Sequence, residues 1–148
     1  MKFTVDSNVL VYAVDSQTPE KQAIARNIMR RATLLDAVLT GQALAEFLNV
    51  VRRRAPASFS TARAQAARWA TIFPIAGTSW ECIDRAAAMA EAHKLQLWDC
   101  VIWQAARSLQ AQIFISEDLQ DGFSAEGMSV LNPFKSSNAE RLAALLEA

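Results

Sequence analysis

The chain has 148 residues, 52% hydrophobic and 20% charged, which suits one globular domain that buries its own core without staples. Its 15 Lys and Arg balance 15 Asp and Glu, which counts against a broadly cationic nucleic-acid binder, although arginines gather at Arg30-Arg31 and Arg52-Arg53-Arg54, with Arg63 and Arg68 nearby. Two cysteines (Cys82 and Cys100) in apolar helical segments, no signal-like stretch before Asp6 and no apolar run of about 18 residues predict a soluble, cytoplasmic protein.

In chain order, Lys2–Asp6 reads as a short strand, and the apolar Val9–Val14 implies that the turn after Asp6 is buried. Thr18-Pro19 opens a helix, with Pro19 at its first position, that turns Ile24 and Ile28 inward and ends near Arg31. Ala37–Thr40 is a second strand. Gly41 then leads into a helix whose Leu44, Phe47, Leu48 and Val51 form one stripe, and Pro56 stops it. Ser60 is the expected cap of a helix through Trp69 to about Ile72, closed by Pro74, and Phe73–Ala76 is a short strand. Thr78 and Glu81 have the capping-box form, opening a helix to about His93. Leu97–Leu109 is a further helix, followed by the strand Gln112–Ser116, a loop with Gly122 and the strand Met128–Leu131. Ser137 and Glu140 repeat the capping-box form before a C-terminal helix carrying Leu142, Leu145 and Leu146. Strands separated by helices predict an α/β fold, a sandwich around a mostly parallel sheet, whose sites form beyond the carboxyl ends of the strands.

Four acids stand where such elements would deliver carboxylates to a common point. Asp6 closes the first strand, and Asp118 follows the strand through Ile115, beside Glu117 and Asp121. Glu46 shares the polar face of its helix with Gln42, Asn49 and Arg53; Asp99 begins a face continued by Ile102, Trp103 and Ala106. Three have a bland alternative, and for the fourth the sequence leaves open which of Glu117, Asp118 and Asp121 points at the site. Asp6 serves equally as a turn or helix cap, with Ser7 and Asn8 satisfying the turn, Glu46 as a solvated glutamate and Asp99 as an N-cap. Ser116, at a strand terminus, is placed to hold a water or a phosphate oxygen. Converging carboxylates repel one another unless a cation lies between them, so the set implies a metal site. His93 is the only histidine and reads as a helix-end residue; without a His/Cys cluster, oxygen ligands point to Mg²⁺ or Mn²⁺ rather than zinc. The four tryptophans are expected in the core.

Together Asp6-Ser7-Asn8-Val9-Leu10-Val11-Tyr12, the helix of Glu46, Trp98-Asp99-Cys100-Val101-Ile102, Ile115-Ser116-Glu117-Asp118-Leu119-Gln120-Asp121-Gly122 and Leu131-Asn132-Pro133-Phe134 resemble the PIN-domain family, in particular VapC-like toxins of bacterial toxin–antitoxin pairs. The resemblance runs from Met1 to Phe134. It implies a three-layer α/β/α nuclease domain over residues 1–134, with residues 135–148 a helical extension of that domain. By similarity Asp6, Glu46, Asp99 and Asp118 match the family's acidic positions and Ser116 its hydroxyl position. The family implies a divalent-metal endoribonuclease acting on RNA, a homodimer, and neutralisation by a small VapB-like DNA-binding antitoxin.

Two other readings use an Asp at the end of a first strand. A haloacid-dehalogenase-like phosphatase needs a second Asp two residues on, where this chain has Asn8, and a receiver domain needs an acidic pair that Asp6-Ser7 does not supply. A catalytically silent PIN-like scaffold that binds a protein partner is the remaining alternative; metal-dependent RNA cleavage separates it from the enzyme.

Overall fold

A computed structural model describes residues 1–147. The chain runs β1 (Phe3–Val5), α1 (Ser7–Val14), α2 (Pro19–Ala32), β2 (Ala37–Thr40), α3 (Gly41–Arg54), a 3₁₀ turn (Pro56–Ser58), α4 (Phe59–Ile72), β3 (Ile75–Ala76), α5 (Trp80–His93), α6 (Leu97–Ser108), β4 (Ile113–Ile115), β5 (Ser124–Ala125), β6 (Met128–Leu131), a second 3₁₀ turn (Ser136–Asn138) and α7 (Ala139–Glu147). The strands form one sheet in the order β3-β2-β1-β4-β6-β5. All pairs are parallel except β5 with β6. Helices cover both faces, giving a three-layer α/β/α sandwich. That explains why every residue of β1 and β2 is buried, the polar Thr4 and Thr40 included: a parallel sheet has no wet face.

The main core lies against this sheet. In α6 every residue from Cys100 to Ala106 is buried. Trp103, with no exposed surface, packs its ring 5.5 Å from both Phe114 and Phe123. In α3 the stripe turns inward as expected, with Phe47 and Val51 buried and Leu44 and Leu48 half-buried against the core. Thr40 Oγ1 accepts the Ala43 N–H at 3.1 Å and caps that helix from the end of β2. Thr40→Ala therefore costs about 1 kcal/mol, a fall in Tm of roughly 2–4 °C for a chain of this length. A thermal melt unchanged by the substitution would show the cap to be idle.

Several expectations need correction. The apolar run after Asp6 is a helix, α1, rather than a buried turn; its Val9, Leu10 and Ala13 are buried while Val14 is exposed. The cap of α4 is Ser58, which makes no side-chain bond to the helix, and Ser60 lies inside it. The cap of α5 is Ser79, one residue after Thr78, accepting the Cys82 N–H at 3.1 Å, while Glu81 instead pairs with Arg85 at 3.2 Å. Ser137 sits within a 3₁₀ turn rather than capping α7. The two-residue strand β5 was not anticipated. Only Trp69 and Trp103 belong to the core; Trp80 and Trp98 are 74% and 58% exposed. The C-terminal extension docks on the domain: Leu142 and Leu146 are buried, and Arg31 on α2 donates to the Leu146 carbonyl at 2.9 Å. Its last residue, Ala148, lies outside the described residues.

Candidate active site

In this sheet β2 lies on one side of β1 and β4 on the other, so the strand order reverses between the parallel neighbours β1 and β4. Such a switch point opens a crevice at the carboxyl ends of the strands. Asp6 enters it directly from β1, and its backbone N–H donates to the Ile115 carbonyl at the end of β4 at 2.9 Å. The Asp6 carboxylate accepts from Ser7 N–H at 2.7 Å, capping α1, from Ser116 Oγ at 2.7 Å and from Asn8 Nδ2 at 3.2 Å. Asp6 thus caps α1 and at the same time lies in the crevice, 1% exposed. Two segments 110 positions apart hold one carboxylate from opposite sides.

Ser116 is fully engaged. Its proton goes to Asp6, and its oxygen accepts from Asn8 Nδ2 at 3.3 Å and from Asp118 N–H at 3.1 Å. The hydroxyl expected to hold a water or phosphate oxygen is thereby committed to orienting Asp6 and the loop that carries Asp118. Ser7 bridges to α3, donating its hydroxyl to Glu46 Oε2 at 2.9 Å, and Gln42 Nε2 lies 3.4 Å from Glu46 Oε1. Glu46 therefore turns toward the first turn of α1, while Asn49 and Arg53 further along the polar face of α3 are exposed. Asp99 is half-buried at the third position of α6, whose cap is Gln96, so the N-cap reading of Asp99 is corrected. Asp118 is exposed at the rim.

The electrostatics of the group are those of crowded negative charge. Burial, opposed by the Ser116 hydrogen bond and reinforced by Asp99 and Asp118, pushes the Asp6 carboxyl up to about 7. Burial, with the charges of Asp118 and Glu46, lifts Asp99 to about 6. These mutual influences tie all four predicted acids to one region. The remaining acids of the loop are diverted: Glu117 accepts from Tyr12 and Lys21, and Asp121 accepts from Asn132 N–H and Asn138 Nδ2, both at 2.9 Å. Of the three loop acids that the sequence left open, Glu117 and Asp121 are thus engaged by neighbouring groups. His93 ends α5 and stacks edge-on against Phe123 at 5.3 Å, away from the acids' hydrogen bonds.

Among the described residues, no three carboxylate, imidazole or thiol groups stand close enough to chelate an ion as placed. The donor chemistry nevertheless fits a hard divalent cation. It is all oxygen, it holds a buried carboxylate destabilised by its neighbours, and Asn8 Oδ1 adds a buried acceptor without a partner. Mg²⁺ typically keeps several waters and takes only one or two carboxylates directly, so the looser arrangement suits it.

The PIN domain family model matches residues 3–124, from β1 into β5. The chain belongs to the PIN domain family. Outside the matched stretch lie β6 and α7. No curated protein sequence matches significantly. Among solved structures, a toxin–antitoxin complex from Klebsiella pneumoniae is 17% identical at a TM-score of 0.63, covering 89% of this chain and 98% of that one. The VapBC2 complex of Rickettsia felis, bound to a fragment of promoter DNA, is 14% identical at 0.62, covering 88% and 97%. A sarcin–ricin loop cleaving toxin of Mycobacterium tuberculosis is 14% identical at 0.61, covering 76% and 86%. At such identities the likeness establishes a shared PIN fold.

Proposed function

We propose that this PIN domain is a divalent-cation-dependent endoribonuclease that hydrolyses RNA phosphodiester bonds and serves as the toxin of a toxin–antitoxin pair. The observation that carries the reading is the buried Asp6, fixed by Ser116 and Asn8 and crowded by Asp99 and Asp118 at the sheet's switch point. A scaffold kept only for protein binding has no physical need for a cluster whose charges raise one another's proton affinity. Asp6 and Asp99 would hold Mg²⁺ or Mn²⁺ directly, with Glu46 and Asp118 on a second ion or its waters; bound there, the ion supplies Lewis-acid polarisation of a phosphoryl oxygen and an activated water.

The chain's own residues do the orienting. Ser7 holds Glu46, and Ser116 fixes both Asp6 and the backbone ahead of Asp118. Arg53 lies two helical turns beyond Glu46 on the same face of α3, and exposed Arg52–Arg54 offer guanidinium forks to a phosphate backbone. The partner in this reading is a VapB-like antitoxin. A cleft between α1, α3 and α4, lined by the apolar Val11, Val14, Val50, Val51 and Ala62 with Arg54 and Asp15 among its polar residues, offers an apolar surface suited to an amphipathic antitoxin tail. The protein would act in the cytoplasm as a homodimer, as the family resemblance implies. The test is direct. Purified protein should cleave single-stranded RNA with Mg²⁺ or Mn²⁺ and stop on addition of EDTA; cleavage that survives EDTA, or none under any divalent cation, refutes the assignment.

A further inference from the structure

The loop between β4 and β5 is anchored at both ends by contacts no site assignment uses. Glu117 accepts from the Tyr12 hydroxyl on α1 at 2.5 Å and from Lys21 Nζ on α2 at 2.8 Å. Lys21 Nζ also lies 3.3 Å from the Tyr12 hydroxyl, and it sits 4.9 Å from the centre of the Tyr12 ring and 5.3 Å from that of Phe134. Those two rings meet edge-on at 5.0 Å. On the other side of Asp118, Asp121 binds Asn132 and Asn138 of the C-terminal segment, with Lys135 at 4.0 Å. Asp118 is thus flanked by acids that are each tied elsewhere.

We propose that Lys21, Tyr12 and Glu117 are positioning residues for the cation site, holding the loop so that Asp118 faces Asp6 and Asp99 while Glu117 is kept out of competition for the ion. The inference rests on the cation-site reading above and extends it to Lys21 and Tyr12, which lie 96 and 105 positions from Glu117 in the loop they hold. Energetics separate positioning from plain stabilisation. The Lys21–Glu117 pair is partly exposed, at 39% and 22%, and solvent-screened pairs of this kind contribute little to folding. Removing it should hardly move Tm. The same contact fixes the backbone next to a ligand and neutralises a carboxylate beside the cluster, and losing an outer partner of this kind typically weakens metal binding by about 10–100-fold.

The experiment measures Mn²⁺ affinity of the full chain at neutral pH by electron paramagnetic resonance, alongside Tm. It compares the wild type with Lys21→Met, Lys21→Arg, Glu117→Gln and the Lys21→Met/Glu117→Gln double variant. Lys21→Met and Glu117→Gln should each weaken Mn²⁺ binding about tenfold with Tm nearly unchanged. Lys21→Arg should recover most of the loss, and the double variant should be no weaker than the worse single one, because the two residues act as a unit. Wild-type affinity in both single variants overturns the positioning role alone. Affinity lost only together with a large fall in Tm, without rescue by arginine, overturns it in favour of a structural role. A wild type that takes up no Mn²⁺ overturns the cation site and this inference with it.

Discussion

Replacing Asp6 with Asn is expected to abolish RNA cleavage while making the cation-free protein more stable at pH 8. The loss of activity follows from removing the most buried oxygen donor of the cluster. Direct cation contacts supply several kcal/mol of charge stabilisation in phosphoryl chemistry, so a drop of about 10³-fold is the expected scale. The gain in stability follows from the same burial. A carboxylate 1% exposed, beside two other acids and without a cation, is strained whenever it is ionised. Asn keeps the capping oxygen for the Ser7 N–H but leaves its amide facing Ser116 and Asn8, which offsets part of the gain. The net rise is about 1–3 kcal/mol at pH 8. At pH 5 Asp6 is already protonated in the folded chain, so the advantage of Asn should vanish there. Melts at the two pH values, paired with an RNA cleavage assay, test both halves. A variant less stable than wild type at pH 8, or one that still cleaves, contradicts the role given to Asp6.

That one residue is both a cap and the centre of the cluster shows how the chain's local and global signals interact. The ends of β1 and β4 were legible because buried parallel strands are short, largely apolar runs closed by polar residues, and Asp6 and Ser116 are the residues that close them, with Asp118 two positions further on. Helix α3 was legible because one face is apolar and the other polar, which put Glu46 off the buried stripe of Phe47 and Val51. Helix α1 was not, since Val9–Val14 is apolar on both sides and carries neither a two-residue nor a 3.6-residue period. Caps failed for another reason: Ser58 and Ser60, or Thr78 and Ser79, are equally good by composition, and only backbone geometry separates them. Trp98 and Trp80 are exposed at the first turns of their helices, where hydrophobicity alone assigned them inward. The choice among Glu117, Asp118 and Asp121 was beyond any local signal. What engages Glu117 and Asp121 comes from Lys21, Tyr12, Asn132 and Asn138, none of them in the loop itself.

Cation binding should weaken steeply in mild acid. Asp6 titrates at about 7 and Asp99 at about 6 in the folded chain, against roughly 3.9 for an unperturbed Asp, so the folded state holds protons that the unfolded state has released. The sign follows from linkage: where the native state binds more protons, stability falls as pH rises. The cation-free protein should therefore lose stability between about pH 4 and 7, of order 2–4 kcal/mol from Asp6, and level off above that. Cation binding runs the other way, because the ligands must be deprotonated and the ion displaces their protons. Between pH 7.5 and 5 the two groups together cost roughly several hundred-fold in apparent affinity, expressed as macroscopic steps of the coupled pair rather than of either residue. Mn²⁺ titrations across this range should show that fall together with proton release on binding, and in Asp6→Asn the residual dependence should shrink to the Asp99 step. An affinity flat from pH 5 to 7.5 would mean that the buried carboxyl stays ionised without help, and the crowding on which the assignment rests would then be absent.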